Sequence, residues 1–322
     1  MASFSVRIVC RLVTEGIVTL EEMLRGALLM TVVAFAAPSA AQAYGWPLKP
    51  FDRMHAIRGT LDDPRFHVAP NLTWKGSFHF GVDIAAPDGT PVYAVEPGIV
   101  VRGPDSVVLR RPNRRGFGYW HIHPVVQTGM RVRLHQLLGY ILPGWGHVHF
   151  AETVAGRYRN PLRHGALTPF RELNAPVVDA ISVFRIDGHA LQGEGTNVSG
   201  TVALIADAYE LPSVEPAPPW NRARLVPSFV RWRIIPGNGD PPSAWSTAAD
   251  FRFRLFPASM YASVYAPGTY QNKANRPGDY RFWLTQSLDT TSLPNGAYWV
   301  DVQAENLAGA VGENQIELSV AN

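Results

Sequence analysis

Apolar positions along this chain come in short runs, broken every few residues by Gly or Pro, with no long stretch of helical period. Residues 89–101, Gly-Thr-Pro-Val-Tyr-Ala-Val-Glu-Pro-Gly-Ile-Val-Val, predict a strand, a turn at Pro97-Gly98 and a second strand. Residues 129–142, from Gly129 through Val132 and Leu138 to Ile141, repeat the pattern. From about 176 onward the candidate strands are 201–209, 229–235, 251–255, 280–284 and 297–304. Turn chemistry such as Gly237-Asn238-Gly239 and Pro294-Asn295-Gly296 separates them. In the last one Tyr298, Val300 and Val302 fall on one face, as a half-buried strand requires. The expected fold is all-β. A β-rich first domain spans 46–170, and a second spans 176–322 with the strand spacing of an immunoglobulin-like sandwich. The Pro-bounded segment 161–176 marks the boundary.

The first 43 residues depart from this pattern. Met23-Leu24-Arg25 precedes an uncharged apolar stretch, 26–37, then Pro38 and the small-residue site Ala41-Gln42-Ala43. That is the order of a signal peptide, and about twelve apolar residues are too few for a bilayer, which needs roughly 20. Glu15, Glu21 and Glu22 are foreign to a signal's first region, so Met23 is the expected start. Cleavage after Ala43 would remove Cys10, the single cysteine, and leave a secreted or periplasmic protein without disulfides or a stable membrane anchor. The sequons at Asn71 and Asn197 matter only in a glycosylating host.

Composition narrows the function classes. The cations are 26 Arg and three Lys, for a net charge of +3. No basic run tracks a nucleic acid, though a mild positive charge suits an anionic envelope. Nine of the ten His lie between His55 and His164, so imidazole chemistry belongs to the first half.

Within that half, His79 and Asp83 stand four apart in Phe78-His79-Phe80-Gly81-Val82-Asp83-Ile84. In extended backbone an even separation turns both side chains to one face, where they can reach one metal ion. His147 and His149, in Gly146-His147-Val148-His149-Phe150, share a face for the same reason. Between the two segments lies Tyr119-Trp120-His121-Ile122-His123-Pro124. Catalytic zinc sites use three protein ligands from His, Asp and Glu and leave a position for water.

These segments resemble the signatures of the lysostaphin-type, or LytM-like, zinc metalloendopeptidases. The family's H-x-G-x-D-I stands at His79–Ile84 with Phe80-Gly81 between, and its H-x-H-F at His147–Phe150. Its G-T-P-V-x-A-x-x-x-G-x-V is matched at 89–100, its Y-x-H at Tyr119–His121, and its V-x-x-G-x-x-V at 126–132. The resemblance covers roughly 46–165. It implies one zinc ion per chain, held by His79, Asp83 and His149. It implies catalytic roles for His121 and His147, which would position or deprotonate the attacking water and stabilise the tetrahedral oxyanion. It further implies an envelope enzyme that hydrolyses stem- or bridge-peptide bonds in peptidoglycan. His123 competes with His121, since His121-Ile122-His123 is itself an H-x-H pair. The chain departs from the family in a short Pro143-Gly144-Trp145-Gly146 loop, and in having Ala151 and then Glu152 where the family places Glu right after H-x-H-F. Both changes concern the groove rim and hence substrate choice.

The remaining histidines, His67, His135, His164 and His189, are expected to be structural. His55 is read the same way, with the groove as its alternative, and Arg65 is expected in an ion pair. A biotinyl or lipoyl carrier would need a lysine, and none occurs between Lys75 and Lys273. H-E-x-x-H and G-x-S-x-G are absent. The competing reading is a catalytically inactive wall-binding or regulatory module of the same fold.

Overall fold

The computed structural model describes residues 43–68, 74–112, 114–187, 190–194 and 196–322. The expected signal segment up to Gln42 lies outside these, with Cys10 and Met23, as do Asn71 and His189. Helix is confined to the single turn Tyr261–Val264 and two 3-10 turns among the described residues, so the all-β expectation holds. No helix among them is long and apolar enough to cross a membrane.

The first half is built on a large antiparallel sheet. Its order is Ile57–Gly59, Val82–Ala85, His147–Val154, Arg115–Trp120, Ser106–Arg110, Gly98–Arg102 and Arg131–Val132, with Arg157–Arg159 paired onto His147–Val154. A three-stranded sheet, Pro91–Tyr93, Leu137–Ile141 and Ile122–Pro124, shares its core. Ile84, Leu109, Phe117, Val148 and Phe150 from the large sheet meet Val92, Ile122, Leu138 and Ile141 from the small one. Alternation then decides where the chemistry emerges. Val148 and Phe150 point into the core, so His147 and His149 leave the sheet on its opposite face. Glu152 follows Val148 and Phe150. It is fully buried, and accepts hydrogen bonds from Tyr44, Arg115 and Arg163.

The strands expected within 89–101 and within 129–142 form, but neither pair is a hairpin. Pro91–Tyr93 joins Leu137–Ile141 in the small sheet, while Gly98–Arg102 pairs with Ser106–Arg110 in the large one. Arg131–Val132 and Leu137–Ile141 divide between the two sheets in the same way. Each segment thus crosses from one layer of the core to the other.

The second half is a sandwich of two sheets around one core. One runs Ala190–Glu194, Val177–Asp187, Thr201–Tyr209, Arg281–Asp289. The other runs Asn197–Val198, Val311–Val320, Gly296–Glu305, Phe229–Pro236, Ser246–Asp250. Tyr298, Val300 and Val302 are buried as their spacing requires, the last two directly opposite Ile234 and Trp232 on the paired strand. The strand expected at 251–255 is displaced to Ser246–Asp250. Phe251 turns into the core, whereas Phe253 is 57% exposed and Arg252 folds back onto Asp250, so the Phe-Arg-Phe-Arg alternation has no sheet face to serve.

The two halves interlock. Phe78 packs in the sandwich core beside Phe251, Phe256 and Tyr265. The buried Asp62 accepts a hydrogen bond from the Phe256 amide at 2.9 Å, and its carbonyl accepts one from the Tyr265 hydroxyl at 2.8 Å.

Candidate metal centre

Two strands and the break before one of them bring the candidate ligating atoms together. His149 lies directly across from Asp83 on Val82–Ala85 and from Trp120 on Arg115–Trp120. His79 arrives differently. The strands Trp74–Phe78 and Val82–Ala85 are separate, and His79 opens the break between them, so the pair does not meet through the alternation of one continuous strand. Two backbone hydrogen bonds pin the break, from the His79 amide to the Asp63 carbonyl and from the Asp62 amide to the His79 carbonyl. Gly81 is demanded here. A Cβ on it would stand 2.3 Å from the Phe150 carbonyl oxygen and 2.9 Å from His149 Nε2.

His79 Nε2 lies 2.7 Å from His149 Nδ1 and 3.0 Å from Asp83 Oδ1, and the last two are 3.1 Å apart. All three residues are buried. Tetrahedral coordination at about 2.0–2.1 Å places ligand atoms about 3.3 Å apart, so the trio needs only a few tenths of an ångström of expansion to hold an ion. The orientation is also right for a ligand set. His79 Nδ1 donates to the Thr60 carbonyl at 2.7 Å, which turns its Nε2 lone pair toward the cluster. Asp83 Oδ2 is occupied by Arg65 Nη2 at 2.8 Å, leaving Oδ1 for the cluster. Arg65 Nη1 in turn binds Asp63 at 2.6 Å, so the ion pair expected of Arg65 is made twice, to Asp63 and to the candidate ligand Asp83.

Electrostatics keep the donors in their ligating forms. Burial, then the neighbouring His79, push His149 down to about 4. Burial and Arg65 lower His79. Burial alone would raise Asp83, but His79, His147 and Arg65 hold it well below the usual carboxylate range. At neutral pH the trio is two neutral imidazoles and one carboxylate.

The cluster floors a cleft of about 400 Å³ that His121 and His147 also line. His147 Nε2 is 3.4 Å from Asp83 Oδ1. His121 adopts a left-handed backbone conformation, φ 64°, and stacks on Trp145 at 3.5 Å with an interplanar angle of 10°. Its ring lies 4.8 Å from that of His147. Burial, then His147, push it down to about 3. His123, two residues on, is exposed and lies outside the cleft. His55 is also elsewhere, against the Pro50 carbonyl and Trp46, and His135 is exposed, stacked on Phe51.

Sequence reasoning misses three cleft residues, Arg58, Trp220 and Asn272. Arg58 reaches the cleft from Ile57–Gly59 and is 8% exposed. Trp220 and Asn272 come from loops of the second half. No spacing in the sequence connects residues so far apart.

Residues 77–161 match the model of Peptidase family M23. No curated protein matches the chain. Among solved structures, a zinc-containing peptidase from Vibrio cholerae is 23% identical, with a TM-score of 0.30. The alignment covers 37% of this chain and 39% of that one. Csd3 from Helicobacter pylori is 23% identical over 38% of this chain and 34% of that one, TM-score 0.31. A mutant catalytic domain of the prophage-encoded M23 protein EnpA from Enterococcus faecalis is 27% identical over 39% of this chain and 98% of that one, TM-score 0.27. The chain thus spans well under half the length of the first two. The similarity to Peptidase family M23 spans residues 77–161, which hold all three candidate ligands and both candidate catalytic histidines.

Proposed function

We propose that this chain is an exported, active zinc metalloendopeptidase that hydrolyses peptide bonds in peptidoglycan stem or bridge peptides. One observation carries the reading: the convergence of His79 Nε2, Asp83 Oδ1 and His149 Nδ1 at the floor of a cleft that two further histidines line. The lysostaphin-type resemblance and the M23 match supply the reaction class. In this reading residues 1–43 are removed on export, 46–170 form the peptidase domain, and 176–322 form an immunoglobulin-like domain.

When bound, a zinc ion supplies Lewis acidity that polarises a peptide carbonyl and brings the ionisation of a water toward neutral pH. Two neutral imidazoles and one carboxylate leave that site with a net charge near +1, which preserves this acidity. His147 takes the proton of the attacking water through Nε2, the nitrogen beside Asp83 Oδ1. His121 is neutral at working pH, and its Nδ1 is buried without a partner among the described residues, so an N–H there is free to donate to the developing oxyanion. Trp145, stacked on His121, fixes that ring in place.

The test is digestion of purified peptidoglycan by the purified mature chain, with new peptide ends identified by mass spectrometry. The expected result is release of peptide ends that stops with a chelator and returns with zinc. A zinc-loaded chain that binds peptidoglycan and releases no peptide ends would establish the inactive module instead.

A further inference from the structure

Arg58 is a buried cation with one face of its guanidinium unspent. Its Nη2 donates to the Trp145 carbonyl at 3.0 Å and stands 2.5 Å from His147 Nδ1. Its guanidinium carbon lies 3.8 Å over the Trp220 ring. Nη1 is buried at the cleft wall and has no hydrogen-bond partner among the described residues. Arg65, the other arginine of the cleft, differs because both its nitrogens are engaged by Asp63 and Asp83. A buried guanidinium without a carboxylate partner is unfavourable unless something completes it, and the unspent N–H groups of Nη1 suit a carboxylate oxygen. Burial pushes Arg58 down to about 10, so it keeps its charge at neutral pH.

The second half of the chain builds this arrangement. Trp220 supplies the aromatic face. Asn272 Nδ2 donates to the Arg58 carbonyl at 3.0 Å and to the Arg224 carbonyl at 2.6 Å, tying the edge strand of the first half to a loop of the second. Asn272 Oδ1 accepts from the Arg224 and Gly278 amides, so the amide orientation is set from both ends.

We propose that Arg58, held by Trp220, Trp145 and Asn272, is a carboxylate-binding subsite of the cleft, and that the second half of the chain thereby selects which peptides the metal centre receives. The proposal rests on the peptidase reading for the identity of the ligand, a carboxylate-bearing peptide. The carboxylate is either the peptide's terminal group or a side chain. Both present the same two oxygens to Nη1, and the test separates them.

The experiment measures binding of cross-linked stem-peptide dimers to the full chain kept in chelator, so that no dimer is cleaved and no carboxylate binds through a metal. Four dimers are compared: unmodified, amidated at the terminal carboxyl, amidated at the side carboxyls, and amidated at both. The wild-type chain is expected to bind the fully amidated dimer at least tenfold more weakly than the unmodified one, as loss of a charge-assisted hydrogen bond implies. The singly amidated form that shows the same loss names the source. Arg58→Gln is expected to bind the unmodified dimer as weakly as wild type binds the amidated one, and to be indifferent to amidation. Arg58→Lys, which keeps the charge but not the Nη2 contact to Trp145 that positions it, should fall between. Equal affinity of wild type for all four dimers, or binding of none, overturns the subsite. Cleavage of the dimers by the zinc-loaded chain is read separately. Cleavage with no carboxylate preference would retain the peptidase and remove the subsite.

Discussion

At the residue scale the proposed peptidase divides five side chains between two tasks, and substitution separates them. His149→Ala removes a ligating nitrogen that faces both His79 and Asp83, and is expected to abolish stable metal binding. His147→Ala leaves the trio intact and is expected to keep the metal while turnover falls about 10²–10⁴-fold, the span of general acid–base catalysis. Metal analysis and peptidoglycan digestion on the same preparations check both. A His149→Ala protein with wild-type metal content would refute the ligand assignment, and a fully active His147→Ala protein would refute the catalytic one. These residues are legible in the sequence because their spacing in short motifs is a local property. The preceding Tyr-x favours His121 over His123, and the structure turns only His121 into the cleft. Arg58 is illegible. A lone arginine in Arg58-Gly59-Thr60 carries no signal until Trp220 and Asn272 are folded against it.

At the element scale, binary alternation identifies most strands but not their partners. Thr201–Tyr209 has the boundaries expected of it, and Phe229–Pro236 and Gly296–Glu305 match within a residue at each end. The two strands of each expected strand–turn–strand segment in the first half join different sheets, because alternation reports which face is buried and says nothing of which sheet a strand joins. Val177–Asp187 and Val311–Val320 escape the pattern altogether. Only Val178 and Val183 of the former are buried hydrophobics, and the apolar alternation of the latter is confined to Ile316, Leu318 and Val320 at its end. His79 and Asp83 do approach each other, at 3.0 Å, but not through the alternation of one strand, since a break precedes Val82. That break makes Gly81 a sharp test. Gly81→Ala forces a methyl against the Phe150 carbonyl and the His149 ring, and is expected to cost about 1–3 kcal/mol of stability and to weaken metal binding. Thermal melts with and without zinc read both effects, and an unchanged melting temperature in both conditions would contradict the packing argument.

At the scale of the whole molecule, the two halves are expected to depend on each other. Phe78 resides in the sandwich core, and Asp62, fully buried, takes one of its hydrogen bonds from Phe256 and gives its carbonyl to Tyr265. A fragment of residues 43–175 would expose Phe78 and strip Asp62 of its Phe256 and Tyr265 partners. It is expected to melt well below the full chain or to aggregate, and a fragment as stable as the full chain would show that the interlock contributes little. A second dependence is electrical. Glu210, 3% exposed, is raised well above the usual carboxylate range by burial and then by Glu172; burial raises Glu172 too. Acids raised in the folded state cost stability as pH rises, because above about 4.5 the unfolded chain releases protons that the folded chain must keep or lose at a penalty. Glu210→Gln removes that penalty and can still accept from the Ser228 amide. The difference in melting temperature between Glu210→Gln and wild type is expected to grow in the variant's favour from pH 4 to pH 8. A difference that shrinks over that range would reverse the sign and refute the assignment.

The most direct test of the central claim is the metal content of the purified mature chain, measured by elemental analysis beside the His149→Ala variant. The expected result is about one zinc per wild-type chain and essentially none in the variant. A wild-type chain that takes up no zinc even when the metal is supplied would contradict it, because the trio His79, Asp83 and His149 would then be a buried polar cluster rather than a metal centre.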